Sequence, residues 1–189
     1  MLEIDPVYLE KYVKEGLEAR KKIDTRDLIE ISEVLYDRMK NGGKLITFGN
    51  GGSAADAQHF VAELSGRFLK ERKSFPAISL STNTSSITAI GNDYDYSQIY
   101  SRQLEGLCAK GDYVVGISTS GNSPNVIEGI RKAKEIGAFT MALTGKKGGR
   151  VKDLADRWIR VSSDFTPIIQ EVHIAIIHMI CYSFDLMLE

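Results

Sequence analysis

Residues 44–53 are Lys-Leu-Ile-Thr-Phe-Gly-Asn-Gly-Gly-Ser, an apolar run that ends in a cluster of glycines. A short apolar run bounded by glycine is typical of a buried strand, so we expect a strand over 44–48. The turn Gly49-Asn50-Gly51-Gly52 follows, and the pattern predicts a helix from about Ser53 to Phe68. Glycine lets the backbone approach a ligand closely, and a helix start presents free N–H groups to an anion. The turn matches neither the P-loop nor the dinucleotide pattern, so a plain tight turn with a Ser cap is the alternative.

The same order of strand, turn and helix recurs further along the chain. Residues 112–117 form an apolar run, and the polar loop 118–123 and a helical pattern over 124–136 follow it. Further strands are predicted over 76–80, 138–143 and 158–161, and helical segments over 84–90 and 96–107. Short apolar strands separated by helices predict a parallel α/β sheet covered by helices on both faces. No repeat or linker interrupts the pattern, so we expect a single domain over 1–189.

Two helices are predicted ahead of the sheet, over 6–22 and 25–40. In the second, apolar residues from Leu28 to Met39 recur at helical spacing. Thr25 is its expected N-cap, and Asn41-Gly42 is its expected end. We expect 1–41 to be an N-terminal helical arm used in oligomerisation and 42–189 to be the α/β core.

The last apolar stretch, from Ile168 to Leu188, predicts a helix that is apolar on nearly every side. A lone surface helix would be amphipathic, so this helix is either central to the domain or packed against another subunit. Its length is close to that of a membrane span. Glu171, His173 and Asp185 lie within it, and the cost of burying such groups in lipid argues against a span. We therefore expect a homo-oligomer without a membrane-spanning segment.

The composition is that of an ordinary globular protein, 43% hydrophobic and 26% charged, with a net charge of −1. Its basic residues are scattered, which argues against nucleic acid or an anionic membrane as a partner. Cys108 and Cys181 lie far apart and fit neither a disulfide framework nor a zinc ribbon. The N-terminus lacks the basic and apolar regions of a signal peptide. The expected location is therefore the cytoplasm.

The loop Ser118-Thr119-Ser120-Gly121-Asn122-Ser123-Pro124 is a second candidate anion site. Its four hydroxyl groups, a flexible glycine and a proline at the first helical position are typical of an oxyanion cradle. The loop contains no lysine, which favours a single phosphate on a small metabolite over a triphosphate. The alternative is a hydroxyl-rich loop in which Ser123 is an N-cap.

Four further side chains could move protons or bind a metal ion. His59 and Glu63 are four residues apart and share a helix face. Gln170 and His178 lie on the last helix, on sides about 80° apart. Together these groups could make a four-ligand site for zinc or a similar divalent ion. By spacing alone, an ordinary His–Glu surface pair is the commoner arrangement. Glu171 and His173 have no better claim, and we expect them to be structural.

With these motifs in hand, the sequence resembles the sugar isomerase (SIS) family, in its phosphoheptose isomerase branch. The matching segments occur in the expected order between residues 42 and 178. They are Gly49-Asn50-Gly51-Gly52-Ser53-Ala54-Ala55-Asp56-Ala57-Gln58-His59, Glu63-Leu64-Ser65-Gly66-Arg67, Ala89-Ile90-Gly91-Asn92-Asp93, Gly116-Ile117-Ser118-Thr119-Ser120-Gly121-Asn122-Ser123, Leu143-Thr144-Gly145 and Gln170-Glu171-Val172-His173-Ile174-Ala175-Ile176-Ile177-His178.

The resemblance implies a flavodoxin-like five-stranded parallel sheet and a homotetramer with active sites at subunit interfaces. It implies that a sugar phosphate is held by residues of both loops, with further contacts from the middle and end of the chain: Asn50, Gly51, Gly52, Ser53, Glu63, Asn92, Asp93, Ser118, Thr119, Ser120, Ser123 and Gln170. Of the residues named above, His59, Glu63, Gln170 and His178 match the positions that bind zinc in family members.

The implied reaction converts sedoheptulose 7-phosphate to D-glycero-D-manno-heptose 7-phosphate through an enediol. Glu63 is the expected base and His178 the expected acid, because a carboxylate and an imidazole suit proton transfer at carbon and at oxygen. The product would enter nucleotide-activated heptose biosynthesis for lipopolysaccharide or another surface glycan.

The alternative is a non-catalytic SIS protein that binds a phosphosugar or a replication initiator as a regulator. In such relatives the residues matching Glu63 and His178 are typically replaced, and here both are present. An isomerase of a shorter sugar is a second alternative, which the spacing of Gln170 and His178 and the Asn92-Asp93 pair disfavour.

Overall fold

The computed structural model describes residues 4–188 and confirms the predicted parallel α/β domain. Its elements follow in the order α1 (Val7–Lys21), α2 (Thr25–Lys40), β1 (Leu45–Gly49), α3 (Gly52–Ser65), β2 (Ala77–Ser79), α4 (Thr84–Asp93), α5 (Ser101–Leu107), β3 (Tyr113–Ser118), α6 (Pro124–Ile136), β4 (Phe139–Thr144), β5 (Arg157–Arg160) and α7 (Thr166–Leu186). Short 3₁₀ turns lie at Tyr96–Gln98 and Val151–Asp153.

The five strands form one sheet in the order β2-β1-β3-β4-β5, and every pair is parallel. The chain moves from β1 outward to β2 and then returns to the other side of β1 for β3. Gly49 at the end of β1 is level with Ile117 near the end of β3. Ligands of open α/β sheets bind beyond the carboxyl ends of the strands where the order reverses. The two predicted anion loops follow β1 and β3, so both lie at this point.

Helices cover both faces of the sheet and bury an apolar layer on each. One layer comes chiefly from α2, α3 and α7, with Leu35, Phe60 and Ile176 wholly buried. The other comes chiefly from α5 and α6, with Ile130 packed beneath the strands. β1 and β3 are buried along their whole length, as their continuous apolar runs predict.

The last helix is a core element of the domain. By length and composition α7 could cross a membrane, but over half of its most apolar stretch is buried inside the protein. It packs against α1, α2 and α3. Of the two predicted positions for this helix, the structure shows the central one.

Two local predictions were wrong. The N-cap of α2 is Asp24, whose carboxylate accepts hydrogen bonds from the N–H groups of Arg26 and Asp27, so Thr25 is the first helical residue and not the cap. The predicted helix over 96–107 is a 3₁₀ turn followed by the shorter α5. The break lies at the adjacent residues Ile99 and Tyr100, which are both buried in the second apolar layer.

Candidate active site

The glycine-rich turn after β1 begins α3 without a side-chain cap. Gly51 occupies the N-cap position with a φ of +56°, a conformation that favours glycine. A Cβ atom at Gly49 would lie 2.7 Å from the carbonyl oxygen of Ser53, so only glycine allows the turn to be this tight. No side chain in the described chain bonds to the first turn of α3 as a cap. The N–H groups of Ser53, Ala54 and Ala55 bond to carbonyl oxygens within the turn, so it is chiefly the positive end of the helix dipole that suits an anion.

The serine loop after β3 gathers hydroxyl groups at the start of α6. The Ser118 Oγ lies 3.0 Å from the Ser123 Oγ and 3.5 Å from the Ser120 Oγ. Ser123 is at the N-cap position, but its hydroxyl contacts Ser118 and makes no capping hydrogen bond. Pro124 is the first residue of α6, as predicted. Ser118, Thr119 and Ser123 thus line one cavity beside the start of α6.

The two loops enclose a cavity of about 310 Å³. Thr166 and Gln170 from α7 close its third side. A Cβ atom at Gly52 would lie 2.5 Å from the Gln170 amide nitrogen, so glycine at this position makes room for that side chain. The residues that line the cavity are Asn50, Gly51, Gly52, Ser53, Ile117, Ser118, Thr119, Ser123, Thr166 and Gln170.

A second cavity of about 270 Å³ shares Thr119 and Thr166 with the first. Lys146 and Lys147, from the loop after β4, line it together with Ser120. The serine loop itself contains no lysine, but the fold brings these two ammonium groups to its edge. Lys146 and Lys147 are far from the serine loop along the chain, so the sequence offered no sign of this proximity. They lie near it because β3 and β4 are neighbours in the sheet.

A pair of asparagines joins the two loops. The Asn50 amide nitrogen donates to the Asn125 side-chain oxygen at 2.9 Å, and the Asn125 amide nitrogen donates back to Asn50 at 2.8 Å. The Tyr100 hydroxyl adds a hydrogen bond to the Asn50 oxygen at 3.2 Å. Asn125 is buried, and sequence reasoning assigned it no role. The Asn50 side chain is occupied by its hydrogen bonds to Asn125 and Tyr100. We therefore expect Asn50 to contact a ligand through its backbone.

Three of the predicted proton-transfer and metal-binding residues meet beside the C-terminal half of α3. The His59 Nε2 lies 2.8 Å from a Glu63 carboxylate oxygen and 3.0 Å from the His178 Nε2. Phe68 packs beside the His178 ring, with centroids 5.9 Å apart. His59 is half exposed and the Glu63 side chain is 20% exposed, so a substrate could reach both. We call these three residues the His–Glu–His cluster.

The cluster has the donor set of a divalent metal site. Its two imidazoles and one carboxylate offer three ligand atoms within 4.8 Å of one another. Zinc binds imidazole nitrogen and carboxylate oxygen at about 2.0–2.2 Å, and catalytic zinc sites keep a position open for substrate. These residues therefore fit the metal. Gln170 lies two turns earlier on α7 with its amide against Gly52, and its place in the ligand set stays a prediction.

Asn92 and Asp93 lie away from this centre. They end α4, are exposed to solvent, and are hydrogen-bonded to each other at 2.8 Å. Neither lines the cavity between the loops. Within one chain the structure does not bring this pair to the other predicted residues.

Asp56 is a site-adjacent residue to which sequence reasoning assigned no role. It lies on α3, three residues before His59, and its Oδ2 is buried without a hydrogen-bond partner in the described part of the chain. Burial raises the pKa of Asp56 to about 6, and the neighbouring His59 opposes part of that rise. The sequence feature that could have pointed to Asp56 is a single carboxylate among the small residues at the start of α3.

The SIS domain family matches residues 8–145 of this chain, which is more than half of its length. The chain belongs to the SIS domain family. Among its SIS relatives, a protein of Thermoplasma acidophilum named probable phosphoheptose isomerase is 59% identical over 175 residues, or 93% of this chain and 96% of the relative.

Two solved SIS structures share the fold. The phosphoheptose isomerase of Neisseria gonorrhoeae is 39% identical, with a TM-score of 0.87 over 95% of this chain and 96% of that one. The phosphoheptose isomerase of Francisella tularensis is 33% identical, with a TM-score of 0.89 over 95% of each chain. The family expected from the sequence motifs is confirmed.

Proposed function

We propose that this SIS protein is an aldose–ketose isomerase that converts sedoheptulose 7-phosphate to D-glycero-D-manno-heptose 7-phosphate. One observation carries the proposal: α3 and α7 extend together from the cavity between the two loops to the His–Glu–His cluster. Gly52 and Gln170 lie at the cavity, and Glu63 and His178 lie further along the same two helices. Gln170 and His178 are eight positions apart on α7, which corresponds to about 12 Å along the helix. A long sugar chain held by its phosphate at one end suits that separation.

The serine loop and the glycine-rich turn would hold the phosphate. Ser118, Thr119 and Ser123 provide hydroxyl donors, and the starts of α3 and α6 provide backbone N–H groups. Lys146 and Lys147 at the adjoining cavity would offset the negative charge. Hydroxyl and N–H donors at helix N-termini favour a phosphate monoester over an uncharged sugar.

Glu63 and His178 would carry the protons. Isomerisation moves one proton between neighbouring carbons and another between their oxygens. The Glu63 carboxylate would take the carbon-bound proton from the ketose and return it to the adjacent carbon, passing through a cis-enediol. The His178 imidazole would donate a proton to the carbonyl oxygen and then accept the proton lost from the hydroxyl on the adjacent carbon. Phe68, beside the His178 ring, would limit the access of water to this step.

We propose zinc as the cofactor, one per subunit, held by His59, Glu63, Gln170 and His178. When bound, zinc would supply Lewis-acid polarisation of the substrate carbonyl. Glu63 and His178 have two duties in this scheme, because a group bonded to a metal is less available to move a proton. Either one of the two would loosen its hold on the metal during turnover, or the metal would be partly structural.

We propose a cytoplasmic homotetramer in which α1 contributes to assembly. Val7, Leu9, Val13 and Leu17 of this helix are exposed. Such an apolar surface is typical of a helix that packs against another subunit. The product would feed the synthesis of nucleotide-activated heptose for lipopolysaccharide or another surface glycan.

The deciding experiment is to incubate the purified protein with sedoheptulose 7-phosphate, with and without a chelator, and to follow the aldose product. Glu63→Gln should abolish turnover and leave substrate binding nearly intact. Glu135→Gln, which removes an exposed carboxylate from α6, is the matched control and should keep full activity. A Glu63→Gln variant with near-normal turnover would remove Glu63 from the mechanism. No product under either condition would favour a phosphosugar-binding or replication-initiator-binding regulator.

A further inference from the structure

Arg72, in the loop after α3, closes the C-terminal end of that helix. Its guanidinium donates to the carbonyl oxygens of Glu63 at 2.7 Å and Leu64 at 2.8 Å, with a longer contact to Gly66 at 3.4 Å. These carbonyls belong to the last turn and the C-cap of α3. Carbonyls at a helix end lack the N–H partner that a further helical turn would provide. A planar guanidinium serves several acceptors at once, and its charge suits the negative end of the helix dipole.

Asp185, near the end of α7, is the counter-ion of Arg72. Its Oδ1 lies 3.4 Å from the Arg72 Nε, and its Oδ2 accepts hydrogen bonds from the backbone N–H groups of Leu69 at 2.8 Å and Lys70 at 2.9 Å. The two charged side chains are only 7% and 3% exposed. Burial alone would raise the pKa of Asp185, but these donors outweigh it and hold the pKa below its ordinary value. A buried carboxylate with this many partners is costly to disturb.

This ion pair joins the two helices that carry the His–Glu–His cluster. Arg72 holds the backbone carbonyl of Glu63, whose own side chain belongs to the cluster. His178 and Asp185 are seven residues apart, or two turns, and therefore share a face of α7. By holding the next two residues of the loop, Asp185 also places Phe68 against the His178 ring.

We propose that Arg72 and Asp185 are positioning residues that set the separation between the α3 side chains and the α7 side chain of the cluster. The ion pair touches neither substrate nor metal in this scheme. It acts by fixing two helix ends and the wall beside His178. The inference deepens the proposed function, since the same cluster carries the proposed metal and proton transfer.

A second buried carboxylate provides a matched control. Asp112 is 3% exposed, pairs with Lys44 at 2.6 Å, and accepts backbone hydrogen bonds from Lys44 and Ala109. It therefore resembles Asp185 in burial and partners. It lies at the amino ends of β1 and β3, at the opposite edge of the sheet from the anion loops. Asp112→Asn should cost stability without disturbing the cluster.

The test is titration of the metal-free full-length protein with cobalt(II), whose visible absorption reports ligand geometry. We expect Asp185→Asn to weaken cobalt binding about tenfold, as loss of outer-shell support does in other metal sites, and to change the spectrum. Asp112→Asn should bind cobalt as the unaltered protein does. Arg72→Lys keeps the positive charge but loses the planar fork, and it should weaken binding as well. This second variant carries the test if Asp185→Asn does not fold.

Unchanged cobalt affinity and spectrum in a folded Asp185→Asn or Arg72→Lys variant would overturn the inference, as would equal losses in Asp112→Asn. A wild-type protein that binds no cobalt would overturn it too. Failure of the isomerase proposal shows itself differently, as a lack of turnover of sedoheptulose 7-phosphate by the unaltered protein. Cobalt binding is measured without substrate, so the two failures are distinguishable.

Discussion

His173 should make the protein acid-sensitive in a defined pH range. Its ring is fully buried; Nε2 lies 3.2 Å from the Thr144 carbonyl oxygen, and Nδ1 has no partner in the described part of the chain. Burial lowers the pKa of His173 from 6.5 to about 4, and the hydrogen bond to Thr144 offsets only part of that effect. In the unfolded chain the ring takes up its proton near pH 6.5. Between pH 6.5 and 4 the unfolded state therefore binds more protons, and the free energy of unfolding falls as the pH falls.

The size of the effect follows from the pKa difference. A shift from 6.5 to about 4 corresponds to about 3.5 kcal/mol at roughly 1.4 kcal/mol per unit. About 3 kcal/mol of this is lost by pH 4, where His173 of the folded protein is half protonated. His173→Gln keeps a side-chain N–H donor but cannot take up a proton. We expect the wild-type protein to lose about 3 kcal/mol more than this variant between pH 7 and pH 4.

Urea unfolding followed by circular dichroism at one protomer concentration, with chelator present, measures this difference. Between pH 7 and 8 the two proteins should show no divergence, which serves as the internal control. Curves that remain parallel from pH 7 to pH 4 would refute the assignment of His173 as a neutral, buried group.

Three other changes test the cavity and its surroundings. Asn125→Asp places an acceptor opposite the Asn50 oxygen, so it should raise the KM for the sugar phosphate and cost about 1–3 kcal/mol of stability, as steady-state kinetics and thermal melts will show. Gly121→Ala forces a Cβ atom to within 1.9 Å of the Gly148 carbonyl oxygen, at a φ of +65°. Calorimetry should show that this variant no longer binds phosphate. The control Gly106→Ala, which has open space around the new Cβ atom, should bind phosphate as the wild type does. Asp56→Asn removes a carboxylate whose burial raises its pKa to about 6. After discounting for partial exposure, thermal melts should show that the variant's free energy of unfolding exceeds that of the wild type by roughly 1 kcal/mol at pH 7, and that this difference disappears near pH 4.

Local patterns in the sequence were sufficient for most elements of the fold. The apolar runs that became β1 and β3 and the glycine that starts α3 depend on neighbours along the chain, so periodicity and turn chemistry revealed them. One of the two errors arose where a nearby side chain competed for the same role. Asp24 displaced Thr25 as the N-cap because its carboxylate reaches two N–H groups of the first turn.

The sequence by itself determined the strand–turn–helix units, the positions of the two candidate anion loops and the placement of His59 and Glu63 on one helix face. Only the tertiary structure decided how these units meet. The strand order places β1 beside β3, which joins Asn50 to Asn125 across 75 positions of the chain. The packing of α7 on α3 brings His178 to His59, and Asp185 to Arg72. Such contacts depend on which buried surfaces fit together, and that choice rests on packing across the whole domain and not on any local pattern.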